Sequence, residues 1–87
     1  MKYIVYQTVN KANNKIYIGV HGTEIEDFDG YIGNGVSIYR PATYMNPKTP
    51  FQFAVKKYGI KNFIRTTLKE FDNENDAYAL EAELVNE

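Results

Sequence analysis

The sequence predicts a small α+β domain with a mainly antiparallel three-stranded sheet flanked by helices, in the order strand, strand, helix, strand, helix. Two stretches near the N-terminus alternate apolar and polar residues around an asparagine-rich turn, as strands of a hairpin do. Later in the chain the apolar residues first take the spacing of a helix, then alternate with polar residues again, and finally form the apolar stripe of a second helix. With 87 residues, of which 44% are apolar, the chain suits one domain with a thin core.

The first two predicted strands, residues 2–9 and 15–20, form a hairpin. Residues 10–14 between them include three asparagines, which tolerate the left-handed backbone conformations of tight turns. Alternation places Tyr6 on one face of the first strand and Tyr17 on one face of the second. Pairing of the strands can therefore bring the two tyrosine hydroxyls close together.

The middle of the chain is predicted to be irregular and then helical. Residues 21–35 carry four glycines and a run of acidic residues, and residues 36–40 can form either one helical turn or a short extended segment. Residues 42–48 are predicted to be a loop. Thr49 is then a suitable N-cap, and Pro50 suits the first position of a helix that a glycine ends.

A third strand and a last helix complete the predicted fold. Residues 62–71 alternate so that Arg65 and Lys69 share one face of the strand. Asp72 or Asn73 is expected to cap the last helix. The apolar stripe of this helix is formed by Ala77, Leu80 and Leu84.

The composition excludes several kinds of site. The chain has no cysteine and a single histidine, so it can form neither a disulfide nor a zinc site of several Cys or His ligands. No apolar run approaches the roughly 20 residues of a membrane helix, and no signal peptide precedes the first strand, so we expect an intracellular protein. Because the net charge is −1, any nucleic-acid binding must rely on a local basic patch or on another domain.

Three sequence blocks carry a resemblance to a known family. They are Val5 and Tyr6 with the Tyr-Ile-Gly tripeptide at 17–19, the segment DGYIGNG at 29–35, and KKYGIKNF at 56–63. In this order they resemble the GIY-YIG nuclease superfamily, in particular the catalytic domains of phage homing endonucleases. The position of the first signature glycine is occupied by Val5, or by Ile4 if the signature is counted one step earlier.

The resemblance implies hydrolysis of a DNA phosphodiester with one divalent ion, Mg²⁺ or Mn²⁺, and a tyrosine-assisted water nucleophile, without a covalent intermediate. It spans nearly the whole chain, so residues 1–87 are expected to be one GIY-YIG-like nuclease domain. Since the last helix is still running at Glu87, we expect a truncated C-terminus, and the resemblance implies that a further DNA-binding domain can follow. The implied location is the cytoplasm of a bacterial or phage-infected cell.

The resemblance implies that both Tyr6 and Tyr17 line the catalytic site, and it leaves open which of them is the general base. A free phenol has a pKa of about 10, so it needs a nearby cation or metal-bound water to accept a proton at neutral pH. His21, four residues after Tyr17, is expected to contact phosphate or tune a tyrosine. The alternative is that His21 is a solvent-exposed loop residue.

Many family members place an arginine about ten residues after the second signature tyrosine, where this chain has acidic residues at 26 and 27. Arg40 is therefore predicted to be the substitute, clamping the phosphorane charge with its two-pronged guanidinium. Arg65 is the other arginine of the chain, and its position inside the third strand makes it the less favoured candidate.

Glu81 lies on the inward stripe of the last helix and is predicted to be the sole protein ligand of a metal ion that otherwise keeps its waters. The alternative is a glutamate paired with a lysine. The DNA backbone is expected to follow a basic cluster with one nearby amide, namely Lys48, Lys56, Lys57, Lys61 and Asn34. These lysines can equally form an ordinary solvated face.

Two other functions remain open from the sequence. The chain can be a catalytically inactive GIY-YIG-like module that binds DNA or protein, which the missing arginine and the near-neutral charge favour. It can also be a purely structural, tyrosine-rich domain. Convergence of Tyr6, Tyr17, Arg40 and Glu81 in one cleft would favour the enzyme.

Overall fold

The computed structural model describes residues 1–24 and 28–85. The acidic positions 26 and 27 and the end of the chain at Glu87 lie outside the described residues. Within the described ranges the elements are β1 (Lys2–Asn10), β2 (Lys15–Thr23), β3 (Tyr31–Gly33), β4 (Val36–Ser37), α1 (Ala42–Met45), α2 (Pro50–Tyr58), a 3-10 turn (Ile60–Asn62), β5 (Phe63–Phe71) and α3 (Glu74–Val85). The α+β class is confirmed, and a second sheet is added: β2, β1 and β5 form an antiparallel three-stranded sheet, and β3 and β4 form a two-stranded one.

The β1–β2 hairpin agrees with the prediction, although β2 continues three residues beyond the predicted end at 20 and reaches Thr23. Asn14 adopts the left-handed conformation that the turn requires, with φ of 62°. The register places Tyr6 opposite Gly19 and Thr8 opposite Tyr17. Because residues opposite each other in a sheet lie on the same face, Tyr6 and Tyr17 share one face.

Strand β5 pairs with β1 on the other side and contains a bulge. Thr67 lies opposite Tyr6, whereas Lys69 lies opposite Val5, which leaves Leu68 as the extra residue. Neighbouring residues of β1 point to opposite faces, so the bulge moves Lys69 to the face opposite to that of Arg65. The prediction that Arg65 and Lys69 share a face was therefore wrong.

The stretch predicted to be irregular, 21–35, contains strand β3 and, at its end, a tight turn into β4. Asn34 and Gly35 both have positive φ, 48° and 77°, as a two-residue type I′ hairpin turn requires. Of residues 36–40, only Val36 and Ser37 take the extended alternative and form β4, after which the chain turns so that the Arg40 amide donates to the Ser37 carbonyl. The predicted loop at 42–48 begins with the single helical turn α1.

Helix α2 begins and ends as predicted. The Thr49 hydroxyl accepts a hydrogen bond from the Gln52 amide, Pro50 occupies the first turn, and Gly59 follows the last residue with φ of 93°. The helix packs its buried residues against the second sheet and β5. This core consists of Ile32, Val36, Phe51, Val55 and Phe63.

Helix α3 packs along all three strands of the larger sheet. Asn73 is the capping residue of the two predicted, because its side chain accepts hydrogen bonds from the amides of Asn75 and Asp76. Ala77 is fully buried, but Leu84 is 40% exposed, so the predicted stripe is only partly covered. No helix of the described residues is long and apolar enough to cross a membrane.

Candidate active site

The Tyr6 side chain crosses the edge strand β2 at Gly19. A Cβ atom on Gly19 would lie 2.6 Å from Cζ of the Tyr6 ring, so only glycine leaves room for the phenol there. On the other side of the phenol, a Cβ on Gly33 would lie 3.1 Å from the Tyr6 oxygen. The hydroxyl is therefore held between the glycines of the two Tyr-Ile-Gly tripeptides, and Tyr6 is only 5% exposed.

Tyr6 and Tyr17 line the same cavity, which has a volume of about 440 Å³. Tyr17 is half-buried and packs edge-on against Phe51 of α2, with ring centroids 4.6 Å apart. The rest of the wall comes from β2, the β3–β4 turn and the end of α3, namely Ile16, Ile18, Gly33, Asn34, Leu84 and Val85. The structure thus brings the two predicted tyrosines into one cavity.

A third tyrosine, Tyr31 of β3, contacts Tyr6 directly. The two rings are perpendicular with centroids 5.9 Å apart, and a hydrogen bond joins the two side chains. Burial raises the pKa of Tyr6, and the Tyr31 contact and the charge of Glu81 raise it further, while Arg65 partly opposes them. Tyr6 is therefore held as a neutral phenol in the free protein.

His21 lies behind Tyr31 and forms a pair with Asp29. Its ring stacks on Tyr31 with centroids 3.9 Å apart and planes 9° apart, and Nε2 lies 2.6 Å from Oδ2 of Asp29. The side chain is 21% exposed, so the alternative of a free loop histidine does not describe it. Burial alone would raise the pKa of Asp29, but the Tyr31 amide and His21 outweigh burial and hold that pKa below its ordinary value.

Arg65, the less favoured arginine, is built into this network. Its side chain is 4% exposed, and Nη1 donates hydrogen bonds to Asp29 Oδ1 at 3.1 Å and to the Tyr31 carbonyl at 3.0 Å. The Phe28 ring covers the guanidinium, with Cζ 4.6 Å from the ring centroid. Arg65 is therefore buried behind the tyrosines, where it orients Asp29 and β3.

Arg40, the predicted clamp, lines a second cavity of about 450 Å³ together with His21 and Tyr31. Its side chain is exposed. Its backbone lies three residues after Ser37 of β4 and pairs with Ser37 in an isolated antiparallel bridge. The described residues that line the Tyr6 cavity do not include Arg40. Its contact with the reacting phosphate stays a prediction.

Glu81 is half-buried on α3, and its charge contributes to the raised pKa of Tyr6, but Glu81 is not among the described residues that line the Tyr6 cavity. Among residues 1–24 and 28–85 there is no group of three or more potential His or carboxylate metal ligands. A lone carboxylate fits Mg²⁺ or Mn²⁺, which dehydrates reluctantly and is often held by one or two carboxylates. The donor set present is thus compatible with one water-rich divalent ion.

Three of the predicted DNA-binding lysines line a separate cleft of about 500 Å³. Lys48, Lys56 and Lys57 surround Phe53, which is 57% exposed. Lys61 lies in the 3-10 turn after α2, is exposed, and does not line this cleft. Asn34 lies at the exposed tip of the β3–β4 turn, where its carbonyl accepts a hydrogen bond from Gln52.

The chain is similar over its whole length to phage proteins named as endonucleases. It is 42% identical over 87 residues to "Putative endonuclease segD" of Enterobacteria phage T4, which covers 100% of this chain and 33% of that protein. It is 42% identical over 85 residues to "Putative endonuclease segE" of the same phage, and this match covers 98% of this chain and 35% of that protein. It is 39% identical over 83 residues to "Endonuclease segA" of the same phage, and this match covers 92% of this chain and 30% of that protein. The chain spans about a third of the length of the curated relatives it matches. No family model and no solved structure matches the chain.

Sequence reasoning missed the part of the network formed by Tyr31, Asp29 and Arg65. The second Tyr-Ile-Gly tripeptide was the available signal, because its tyrosine contacts Tyr6 and its glycine lies against the Tyr6 hydroxyl. Arg65 was the less favoured candidate because its position opposite Thr8, on the face that carries Tyr6, depends on the pairing of β5 with β1. Asp29 had no local signal of its own.

Proposed function

We propose that this chain is the catalytic part of a GIY-YIG-type DNA endonuclease that depends on Mg²⁺ or Mn²⁺. The observation that carries the proposal is the position of the Tyr6 hydroxyl between Gly19 and Gly33, in the cavity that Tyr17 also lines. The similarity to phage proteins named as endonucleases supports the same activity. The substrate would be a phosphodiester of a DNA strand.

In this proposal the chain supplies groups that orient a water molecule and move its proton. Tyr6 and Tyr17 face one cavity, so both phenols can hydrogen-bond a water or a phosphate oxygen placed there. A divalent ion bound to Glu81 would offset that carboxylate, lower the pKa of a bound water and stabilise negative charge on the phosphate. Since the charge of Glu81 is one cause of the raised Tyr6 pKa, offsetting it would lower that pKa and favour the phenolate of Tyr6, the form that can accept a proton from the water.

Three further residues, Tyr31, His21 and Asp29, hold the Tyr6 side chain in position for this chemistry. Tyr31 is hydrogen-bonded to Tyr6 and stacks on His21, which is paired with Asp29. These contacts fix the direction of the Tyr6 hydroxyl before substrate arrives, so less orientational freedom has to be given up in the reaction. Arg65 keeps Asp29 and β3 in place through its two hydrogen bonds.

The direct test is cleavage of supercoiled plasmid by the 87-residue chain with Mg²⁺, Mn²⁺ or a chelator. We expect nicked or linear DNA only with a metal ion, and loss of cleavage in Glu81→Gln and Tyr6→Phe with the circular dichroism spectrum unchanged. Glu83→Gln, at an exposed position of the same helix, is the matched control and should cleave normally. Binding of Mn²⁺, followed by electron paramagnetic resonance, should disappear in Glu81→Gln alone.

Two results would contradict the proposal. Normal cleavage by Glu81→Gln together with loss in Glu83→Gln would show that the metal ligand was assigned to the wrong face of α3. DNA binding without cleavage under every metal condition would instead support the inactive, DNA-binding alternative.

A further inference from the structure

We infer that the second cavity binds a nucleotide next to the one being cleaved, with its phosphate on Arg40 and its sugar or base on the ring of Tyr39. This inference rests on the proposed nuclease function and adds a subsite to it. It assigns Arg40 to substrate binding at a neighbouring phosphate.

The two cavities are adjacent and share a wall. Tyr31 lines the second cavity and contacts Tyr6, which lines the first. The β3–β4 turn divides them, since Asn34 lines the first cavity and Gly35 the second. A strand whose reacting phosphate lies at Tyr6 and Tyr17 would thus pass over this turn and bring a neighbouring nucleotide to the second cavity.

The charged groups of the second cavity leave one cation available to a ligand. Its carboxylate, Asp29, is already engaged by His21 and Arg65. The Arg40 guanidinium makes no ion pair or hydrogen bond with any residue that the structure describes, and its side chain is exposed. Because the Asp29 carboxylate is already paired, the Arg40 guanidinium is available to bind an anion. Its planar fork matches the oxygens of a phosphate.

The polar hydroxyls of the cavity are occupied by the loop itself. The Thr43 hydroxyl donates to the Arg40 carbonyl at 2.7 Å and accepts from the Ser37 amide at 2.9 Å. The Ser37 hydroxyl accepts from the Tyr39 amide at 3.2 Å. These bonds hold the segment from Ser37 to Thr43 in one conformation and so present Arg40 and Tyr39 together.

Tyr39 offers an open aromatic face beside this cation. It is 65% exposed although its ring lies against the backbone of Gly30, where a Cβ atom would come within 2.5 Å of Cδ2. The absence of a side chain at Gly30 thus leaves room for the ring, which also lies beside Phe28 with centroids 6.2 Å apart and planes tilted by 52°, while most of the Tyr39 surface stays in solvent. An exposed aromatic next to a free cation is the combination by which proteins hold single nucleotides, through stacking and phosphate contact.

The test measures affinity for a labelled DNA duplex by fluorescence anisotropy at low salt with a chelator present, so that binding is observed without cleavage. Arg40→Gln and Tyr39→Leu should each weaken binding about tenfold, the size of one charge-assisted phosphate contact or one stacked base. The double variant should weaken binding by less than the product of the two single effects, because both side chains hold one nucleotide. Tyr78→Leu, an exposed tyrosine on α3, and Lys11→Gln, on the β1–β2 turn, are the controls and should bind as the wild type does.

A second measurement separates this subsite from a clamp on the reacting phosphate. At saturating DNA and metal, Arg40→Gln should keep its single-turnover rate within about threefold of the wild type. A loss of a hundredfold or more in that rate with unchanged affinity would place Arg40 at the reacting phosphate and overturn the inference. Unchanged affinity in Arg40→Gln and Tyr39→Leu would also overturn it, and this result is readable even if the chain cleaves no DNA.

Discussion

Arg65 of β5 and Asp29, in the loop before β3, form a buried ion pair in which Nη1 lies 3.1 Å from Oδ1. The side chains are 4% and 10% exposed, and the two residues are 36 positions apart in the sequence. The same nitrogen donates to the Tyr31 carbonyl. This pair therefore fastens the two-stranded sheet, which carries Tyr31, to the three-stranded sheet, which carries Tyr6.

Loss of the Arg65 side chain should be strongly destabilising. Arg65→Ala leaves the buried Asp29 carboxylate with His21 and the hydrogen bonds from the Tyr31 amide and the Thr23 side chain but without its guanidinium, and removing one partner of a buried ion pair costs about 3–5 kcal/mol. Arg65→Lys should recover part of this, since an ammonium keeps the charge but not the planar fork. The free energy of unfolding in urea measures both variants. Lys69→Ala, at an exposed position of the same strand, should cost less than about 1 kcal/mol. If Arg65→Ala and Lys69→Ala lowered the free energy of unfolding equally, the ion pair would contribute no more to stability than an exposed lysine does.

Stability should depend on pH through Asp29. The folded-state pKa of this carboxyl is lowered, so its contribution is present above the unfolded pKa of about 3.9 and is lost as pH falls through the folded value. We expect Asp29→Asn to be less stable than the wild type at pH near 7, and the difference to shrink as the pH falls below about 4. Urea unfolding across this range tests the expectation. Asp72→Asn, at an exposed position, should cost little at either end of the range. A difference that grows on acidification would contradict the sign of the shift.

A methyl group at Gly19 should displace Tyr6. The Cβ of Gly19→Ala would lie 2.6 Å from Tyr6 Cζ, and overpacking of this kind costs typically about 1–3 kcal/mol. Cleavage should fall along with stability, since the phenol leaves its place between the two glycines. Gly22→Ala in the same strand is the matched control: its Cβ would lie 3.2 Å from the Met1 sulfur, at the flexible end of a terminal side chain. If Gly22→Ala costs as much as Gly19→Ala, the Tyr6 contact is not the cause.

The lysine cleft should contribute to DNA affinity without contributing to sequence preference. Replacing both Lys56 and Lys57 with Gln should lower the slope of log affinity against log salt by roughly 0.9 for each DNA phosphate that a lysine no longer neutralises. The double variant Lys11→Gln and Lys15→Gln, on the exposed β1–β2 hairpin, removes the same charge elsewhere. Equal slopes for the two double variants would favour the ordinary solvated face.

Local sequence rules predicted the parts of the fold that local forces decide. The hairpin turn at Asn14, the Thr49 cap and the Gly59 stop each depend on a residue's own conformational preference. The bulge at Leu68 could not be predicted, because it is set by how β5 pairs with a strand about sixty residues earlier in the chain. The β3–β4 hairpin was missed because its strands are only three and two residues long, despite the Asn-Gly turn.

The candidate site was predictable to the extent that the resemblance to the GIY-YIG signature points to it. The two tyrosines of the resemblance, Tyr6 and Tyr17, line one cavity, and their catalytic role stays a prediction. The roles of the two arginines depend on which of them is buried, and burial is decided by tertiary packing: Arg65 lies under Phe28, and Arg40 lies at the surface. Asp29 owes its place to the same long-range contact, so no stretch of the chain read alone would have indicated it.

The type I′ turn at Asn34 and Gly35 also makes Asn34 prone to deamidation as the protein ages. An asparagine followed by glycine is the sequence in which the next backbone nitrogen most readily attacks the side-chain carbonyl carbon, expelling ammonia and forming a succinimide ring that water then opens to aspartate or isoaspartate. Asn34 is exposed at the tip between the two cavities, and Gly35 presents no side chain to block the attack. Aged protein would therefore gain a negative charge where a DNA strand would cross, and its affinity for DNA would decline while its fold persisted.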